Sequence, residues 1–97
     1  MIPIELHCTF YADPGHGWLR VRIATLKAID PDLDYTSYSY LNGLNAYLEE
    51  DVDAPRFIAL AGAQGHKLDI GFQHTDRTSH IRAYAPFDKR DLNGQAA

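Results

Sequence analysis

Residues Tyr38–Asp53 read YSYLNGLNAYLEEDVD, and this stretch decides the predicted fold. Asn42-Gly43 at its centre is the strongest short-range signal for a β-hairpin, because both residue types tolerate the positive φ angles of a tight turn. The flanking strands are then Ser37–Leu41 and Leu44–Glu49. A hairpin therefore lies near the middle of the chain.

The register of this hairpin decides which side chains face the core. Pairing Leu41 with Leu44 across the turn places a small, largely apolar set toward the core, namely Ser37, Ser39, Ala46 and Leu48. The opposite face then presents Tyr38, Tyr40, Asn45, Tyr47 and Glu49. A slip of one residue would invert this assignment, because side chains alternate along a strand.

A helix is predicted directly after the hairpin. Asp53 has the chemistry of a helix N-cap, and Pro55 falls in the first turn, where its missing N–H is tolerated. Apolar residues between Phe57 and Ala61 supply a buried stripe, and Gly65 fits a left-handed C-terminal cap. The upstream carboxylates, Glu49–Asp51, suit the positive end of the helix dipole.

Two strands and a short helix are predicted before the hairpin. Ile4–Tyr11 and Trp18–Ile23 both alternate between apolar and polar residues, which is the period of a half-buried strand. Asp13–Gly17 between them holds two glycines and a proline and predicts a turn. Ala24–Ile29 has helical spacing. Cys8 lies on the apolar face of the first strand, so we expect a core residue and not a nucleophile.

The chain after the second helix contains one further strand, Leu68–Phe72, and then Ile81–Ala85, which is either a last strand or a short turn of helix. The predicted order is β-β-α-β-β-α-β. We expect an α+β fold with a small, mainly antiparallel sheet and the helices packed on one face. Residues 1–87 form a single globular domain, and 88–97 form a flexible C-terminal tail.

Composition excludes several classes of protein. The chain has 97 residues, a net charge of −4 with histidine neutral, and one cysteine. The acidic balance makes direct nucleic-acid binding unexpected, because such proteins carry a basic footprint. A single cysteine allows no intramolecular disulfide, and neither a signal peptide nor a membrane-spanning segment is visible. We therefore expect a cytoplasmic protein with no membrane partner.

Two polar loops are candidates for chemistry. In the loop from Asp13 to Trp18, His16 could act as an acid or base beside Asp13. The alternative is structural: the glycines permit a tight turn, and Asp13 caps the turn backbone. The sequence of this loop alone does not distinguish the catalytic interpretation from the structural one.

The second loop runs from His74 to Arg82 and includes Asp76. Arg77 and Arg82 could clamp an anion or a nucleotide. The structural alternative is a loop held by local hydrogen bonds of Asp76 and Ser79. If the two loops form one enzymatic or nucleotide-binding site, they must lie side by side at one mouth of the sheet.

Cofactors and metals are not predicted. No Walker-type or dinucleotide-binding glycine pattern is present. None of the five histidines has the spacing of a zinc finger or of a metal-binding helix pair. A zinc site made by His74, His80 and a carboxylate is an open alternative.

The tyrosine face of the hairpin is the candidate partner surface. It combines tyrosine, which is enriched at interfaces, with the carboxylates that follow the hairpin. The predicted residues are Tyr38, Tyr40, Tyr47, Glu49, Glu50 and Asp51. Three alternatives stay open: the tyrosines make cross-strand pairs or pack under the second helix, the carboxylates only cap that helix, or the face joins two copies of the chain.

Several blocks resemble a group of short proteins encoded by bacteriophages, prophages and plasmids. They are Phe10 with Asp13-Pro-Gly-His-Gly-Trp-Leu19, Tyr38-Ser39-Tyr40 with Gly43, Tyr47-Leu-Glu-Glu-Asp51 with Asp53, and a looser set comprising His74, Asp76-Arg77, Ser79, Ile81-Arg82, Tyr84 and Phe87. Two positions depart from the pattern of that group: Ala28 stands where glycine is frequent, and Val52 stands where cysteine is frequent.

The resemblance implies a context and no particular activity. It suggests a small accessory protein of a mobile element that binds and inhibits a host factor, most plainly a defence component such as a CRISPR or restriction system. Val52 in place of cysteine argues against a thiol function at that position. The competing hypothesis is a small enzyme or nucleotide-binding protein that uses the two polar loops.

Overall fold

The structure, a computed structural model, describes residues 5–92. This part of the chain contains six strands and two α-helices, and each α-helix follows a pair of strands. The strands are β1 (Glu5–Ala12), β2 (Gly17–Arg22), β3 (Tyr40–Asn42), β4 (Asn45–Glu49), β5 (Lys67–His74) and β6 (Ala85–Pro86). The helices are α1 (Ile23–Ile29) and α2 (Asp53–Ala63), and two short 3-10 helices span His80–Ala83 and Lys89–Leu92. Neither α-helix of residues 5–92 is long and apolar enough to cross a membrane.

The strands form one six-stranded sheet in the order β5-β1-β2-β4-β3-β6. The sheet is mixed, which corrects the prediction of a mainly antiparallel one. Its longest pairing is parallel and joins β1 to β5 along the whole of both strands. The reason is the crossover through α2, which returns the chain so that β5 runs in the direction of β4 and β1.

The hairpin register differs from the predicted one by two residues. Leu41 pairs with Ala46, and Asn42 pairs with Asn45, so the turn residues are Gly43 and Leu44. Gly43 has a φ of 59°, as the first central position of a tight hairpin turn requires. A shift of two residues preserves the faces, because side chains repeat with a period of two.

Both helices pack on the same face of the sheet. Leu19 of β2 and Leu48 of β4 are fully buried there against Leu26 of α1 and Phe57 of α2. Cys8 lies in the same cluster, which confirms its predicted place in the core, and burial raises the pKa of its thiol. The face of the sheet that carries the two helices therefore forms the main hydrophobic core.

The segment predicted as a flexible tail is partly ordered into this core. Phe87 is buried, and Leu92 at the end of the last 3-10 helix has no exposed surface. Lys27 Nζ also donates a hydrogen bond of 3.4 Å to the Leu92 carbonyl. Residues 88–92 of the predicted tail thus include a short 3-10 helix and a buried leucine, and residues 93–97 lie outside the described part.

Neither α-helix of residues 5–92 packs on the other face of the sheet, which we call the helix-free face and which the chain after β5 covers. Thr75–Tyr84 leads from β5 at one edge of the sheet to β6 at the opposite edge. On the way, Ile81 packs with Trp18 and Tyr47 in a second buried cluster. The segment predicted as a last strand or a turn of helix contains both a 3-10 turn and the short strand β6.

The junction between the hairpin and α2 is built by Glu49. Its Oε1 accepts hydrogen bonds from the backbone N–H groups of Val52 (2.6 Å) and Asp53 (2.8 Å), and its Oε2 accepts one from Asp51 (2.7 Å). The N-cap of α2 is Val52, which corrects the prediction of Asp53. Asp53 is instead buried, and its Oδ2 accepts hydrogen bonds from the hydroxyls of Thr36 (2.7 Å) and Ser39 (2.5 Å).

Candidate functional site

An ion pair with a buried carboxylate joins the two polar loops that the sequence singled out. Arg82 donates two hydrogen bonds to the Asp13 carboxylate, one from Nε (2.7 Å to Oδ2) and one from Nη2 (2.9 Å to Oδ1). The Asp13 side chain is 1% exposed and that of Arg82 is 34% exposed. The same carboxylate accepts the backbone N–H of Ser79 at 3.0 Å. The two loops therefore lie side by side, as a shared site requires.

Asp13 accepts five hydrogen bonds that fix the geometry of the two loops. Its Oδ1 also accepts the N–H groups of Gly15 (3.0 Å) and His16 (2.9 Å), which confirms the expected capping of the turn. The Arg82 guanidinium, aided by these N–H groups, holds the pKa of the Asp13 carboxyl well below its usual range. A carboxylate saturated with donors has no lone pair left to abstract a proton.

The predicted polar site is divided between two separate concavities. His16 lies on one side of the Asp13–Arg82 pair and lines a groove together with Trp18 and Arg82. His74 and Arg77 lie on the other side and line a pocket that extends to Ile81. Both concavities are on the helix-free face of the sheet.

The first concavity, which we call the cationic pocket, has a volume of about 580 Å³. Its lining carries two arginines, two histidines, hydroxyl groups and tyrosine rings, and it contains no carboxylate among residues 5–92. The residues that give it this character are Arg20, His74, Arg77, His80, Tyr11 and Tyr84. Asp76 lies outside the lining with a 97% exposed side chain, 3.6 Å from His74 Nδ1.

The second concavity, which we call the acidic groove, has a volume of about 480 Å³. Aromatic rings and carboxylates line it, mainly Trp18, Tyr38, Tyr40, Glu49, Glu50 and Asp51. Trp18 and Tyr40 meet edge to face with ring centroids 6.1 Å apart, and the Arg82 guanidinium lies 5.3 Å from the centroid of the Trp18 ring. Tyr38 is 76% exposed at the rim.

The structure changes the roles of two residues in the predicted partner surface. Tyr47 is only 7% exposed, because its ring packs against the rings of Tyr84 and Tyr11, with centroids 5.1 Å and 6.3 Å away. Burial raises the pKa of Tyr47. Tyr47 thus offers little surface to a partner, and the Glu49 oxygens bind the backbone at the start of α2. The exposed carboxylates of the groove are Glu50 and Asp51.

Arg20 is a site residue that the sequence analysis did not predict, and Trp18 entered it only as the end of the Asp13 loop. Both lie on the helix-free side of β2, where Trp18 forms a wall of the acidic groove and Arg20 lines the cationic pocket. Their alternation with Leu19 and Val21 places them on one face of the strand. That pattern could have identified them as neighbours, but the segment that covers them is remote in sequence.

The structure does not bring together the residues of the alternative zinc site, His74, His80 and a carboxylate. Within the described chain, the three ligand-type side chains whose atoms approach within 4.8 Å of one another are Glu5, His7 and Asp69, all of them exposed. His80 does not join His74 in such a group. Exposed clusters of this kind are common without a metal, and His7 there pairs with Asp69 at 3.1 Å.

Comparisons of the chain with protein-family models, with curated proteins and with solved structures gave no match. Its function must therefore be inferred from the chemistry of the two concavities.

Proposed function

We propose that the protein is a non-catalytic binder that inhibits a host factor by docking a basic segment of that factor into the acidic groove. The observation that carries the proposal is the combination, in one groove of about 480 Å³, of aromatic walls with two exposed carboxylates. Such a groove suits a lysine or arginine side chain of a partner protein.

Charge supports this choice of partner. Glu50 and Asp51 make no ion pair with any residue in 5–92, so their charges are available to a ligand. The one arginine in the groove, Arg82, is neutralised by Asp13. The groove therefore presents net negative charge to solvent.

The aromatic residues support it as well. Tyr38 stands exposed at the rim, and Tyr40 and Trp18 form the wall behind it. The stack of Arg82 on Trp18 is an internal example of the cation–π contact that an incoming basic side chain would make with the tyrosines. Aromatic anchors surrounded by a polar rim are typical of binding hot spots.

The identity of the host factor as a defence component rests on the resemblance to short phage, prophage and plasmid proteins. A basic partner surface is consistent with that class, because proteins that handle nucleic acid expose lysine and arginine. Under this proposal the groove presents the carboxylates in place of phosphates and competes for such a surface.

A capture experiment with paired variants tests the proposal. The affinity-tagged protein is exposed to purified bacterial defence complexes, and bound material is quantified for wild type and for Tyr38→Ala combined with Asp51→Asn. The matched control is Phe72→Ala with Asp69→Asn, which makes the same kind of change on β5, where Phe72 is 66% exposed. We expect at least one complex to bind wild type and control, with about tenfold weaker binding to the groove variant.

The proposal fails if no complex binds or if both variants bind as wild type does. It also fails if light scattering shows a dimer that Tyr38→Ala dissociates, because the groove would then be the contact between two copies. Inhibition is tested in the same samples by the cleavage activity of the captured complex, which should fall with wild type and recover with the groove variant.

A further inference from the structure

We propose that the cationic pocket is a second binding site, separate from the acidic groove, and that it takes a nucleoside phosphate. The pocket volume of about 580 Å³ lies within the range of roughly 300–1,000 Å³ that small-molecule sites occupy. Charge, aromatic lining and loop anchoring each support this choice of ligand.

The two arginines of the pocket lack a carboxylate partner among residues 5–92. Arg20 and Arg77 form no ion pair with residues 5–92, and no carboxylate of those residues lines the pocket. Arg20 is half-buried on β2, where it lies 5.4 Å from the centroid of the Tyr11 ring. A half-buried guanidinium with unused N–H donors is suited to a phosphate, which accepts several hydrogen bonds in a fixed geometry.

The remaining lining suits the rest of a nucleotide. Tyr11 and Tyr84 are partly exposed rings that flank the buried Tyr47. Flat aromatic surfaces of this kind stack bases without requiring a particular one. Thr78 and Ser79 add hydroxyl groups, and the Ser79 Oγ already accepts the Ile81 N–H, so its own proton is free to be donated.

The polar loop of the pocket is held in place before any ligand arrives. Asp13 accepts the Ser79 N–H, and Thr75 donates its N–H to the Ala12 carbonyl at 2.9 Å. The loop carrying Arg77 is thus fixed at both ends to the end of β1. Fixing a loop in advance lowers the entropic cost of ligand binding.

The net charge of −4 does not oppose this site, because the negative charge is placed elsewhere. Glu49, Glu50 and Asp51 line the acidic groove, on the far side of the Asp13–Arg82 pair. Asp76 is the acidic residue within the loop, and its side chain is 97% exposed to solvent, where its charge is screened. The local field in the pocket is therefore positive.

Titration calorimetry with defined probes tests the proposal. The probes are the four standard 5′-nucleoside monophosphates, adenosine and inorganic phosphate. We expect at least one monophosphate to bind about tenfold or more tightly than both adenosine and inorganic phosphate. Arg20→Gln and Arg77→Gln should each weaken that binding about tenfold, because each removes charge-assisted hydrogen bonds to the phosphate.

Arg22→Gln is the matched control. Arg22 lies two residues beyond Arg20 on the same strand, is exposed and does not line the pocket, so this variant changes net charge equally and should bind as wild type does. Arg77 is exposed, so its replacement keeps the test valid should Arg20→Gln unfold the protein.

Three results would overturn the proposal. They are absence of binding up to ~10 mM of every probe, equal binding of inorganic phosphate and nucleotide, and equal weakening by Arg22→Gln. None of them bears on the acidic groove, since the residues tested lie outside it.

Discussion

The cationic pocket and the acidic groove share one face of one sheet and differ in almost every other respect. The pocket is lined by Arg20, Arg77 and two histidines, whereas the groove is lined by Glu49, Glu50 and Asp51. Tyrosine rings lie in both. Each site thus has its own aromatic side chains, and the polar residues around them set the sign of the charge that the site attracts.

The Asp13–Arg82 pair keeps these sites distinct. The pair is internally neutral and sits between them, with Arg82 stacked on the tryptophan of the groove and Asp13 bonded to the loop of the pocket. A mildly acidic chain can therefore hold a positively charged pocket, because the Asp13–Arg82 pair separates regions of opposite charge over a short distance.

The largest effect is expected from Asp13→Asn, which should damage both concavities at once. The substitution removes the negative charge from a pair whose carboxylate is buried, and the amide nitrogen then faces the N–H donors of Arg82. The free energy of unfolding should therefore fall by ~3 kcal/mol. Urea denaturation measures this loss. Asp76→Asn removes the same charge from an exposed side chain and should change stability by less than ~0.5 kcal/mol.

Equal effects of these two variants would show that Asp13 is not the structural link between the loops. A stable Asp13→Asn protein that keeps both binding activities would show that the division between the concavities does not depend on the pair.

Gly17→Ala should disturb the main core where Phe10 packs against it, and should leave the cationic pocket intact. A Cβ atom at Gly17 would lie 2.3 Å from Phe10 Cζ and 3.3 Å from Glu50 Oε2, so the Phe10 ring must move. We expect a loss of ~2 kcal/mol in thermal or urea unfolding, typical of overpacking. Gly62→Ala is the control, because nothing lies within 4 Å of its added Cβ and the residue is in α2. Nucleotide binding to the cationic pocket should survive in Gly17→Ala.

The Asp13 carboxylate should also make stability depend on acidity. Its pKa is lowered in the folded protein, so its contribution is present above the ordinary carboxyl pKa near ~3.9 and is lost as the pH falls below that value. Below this pH, wild type should lose up to ~1.4 kcal/mol per pH unit more than Asp13→Asn, which has no proton to gain there. Urea curves at about pH 5 and about pH 3 measure the difference. Parallel pH profiles for the two proteins would contradict the assignment.

The smallest effect is expected from Arg82→Lys. Lysine keeps the charge but loses the two hydrogen bonds to Asp13 and the guanidinium contact with the Trp18 ring, so stability should fall by less than in Asp13→Asn. Tryptophan fluorescence should change, because the guanidinium leaves the ring. An unchanged spectrum and unchanged stability would mean that this contact is not maintained in solution.

Local patterns in the sequence predicted much of this fold. The alternation in β1 and β2, the turn at Asp13 and the core position of Cys8 follow from residues close to one another in the chain. Gly65 also adopts the expected left-handed conformation, with a φ of 86°. These features depend on periodicity and on backbone sterics, which a single sequence contains.

The features that were wrong or missed depend on remote contacts. The parallel pairing of β1 with β5 depends on where the α2 crossover returns the chain, and no local pattern specifies that. The alternation correctly placed Tyr47 on the face opposite the helices. Its burial, however, depends on Tyr84, which directly precedes the edge strand β6. Leu92 likewise lies in the main core although its neighbours in sequence are polar. Such contacts are set by tertiary packing.

A two-ligand NMR titration of the isotope-labelled protein tests the central claim most directly. A short arginine-rich peptide should shift the amide signals of Tyr38, Glu50 and Asp51 and the indole signal of Trp18, and should leave Arg77 and His80 unchanged. A 5′-nucleoside monophosphate should do the reverse. Peptide-induced shifts at Arg77 and His80, or none in the acidic groove, would contradict the account of two sites with opposite charge.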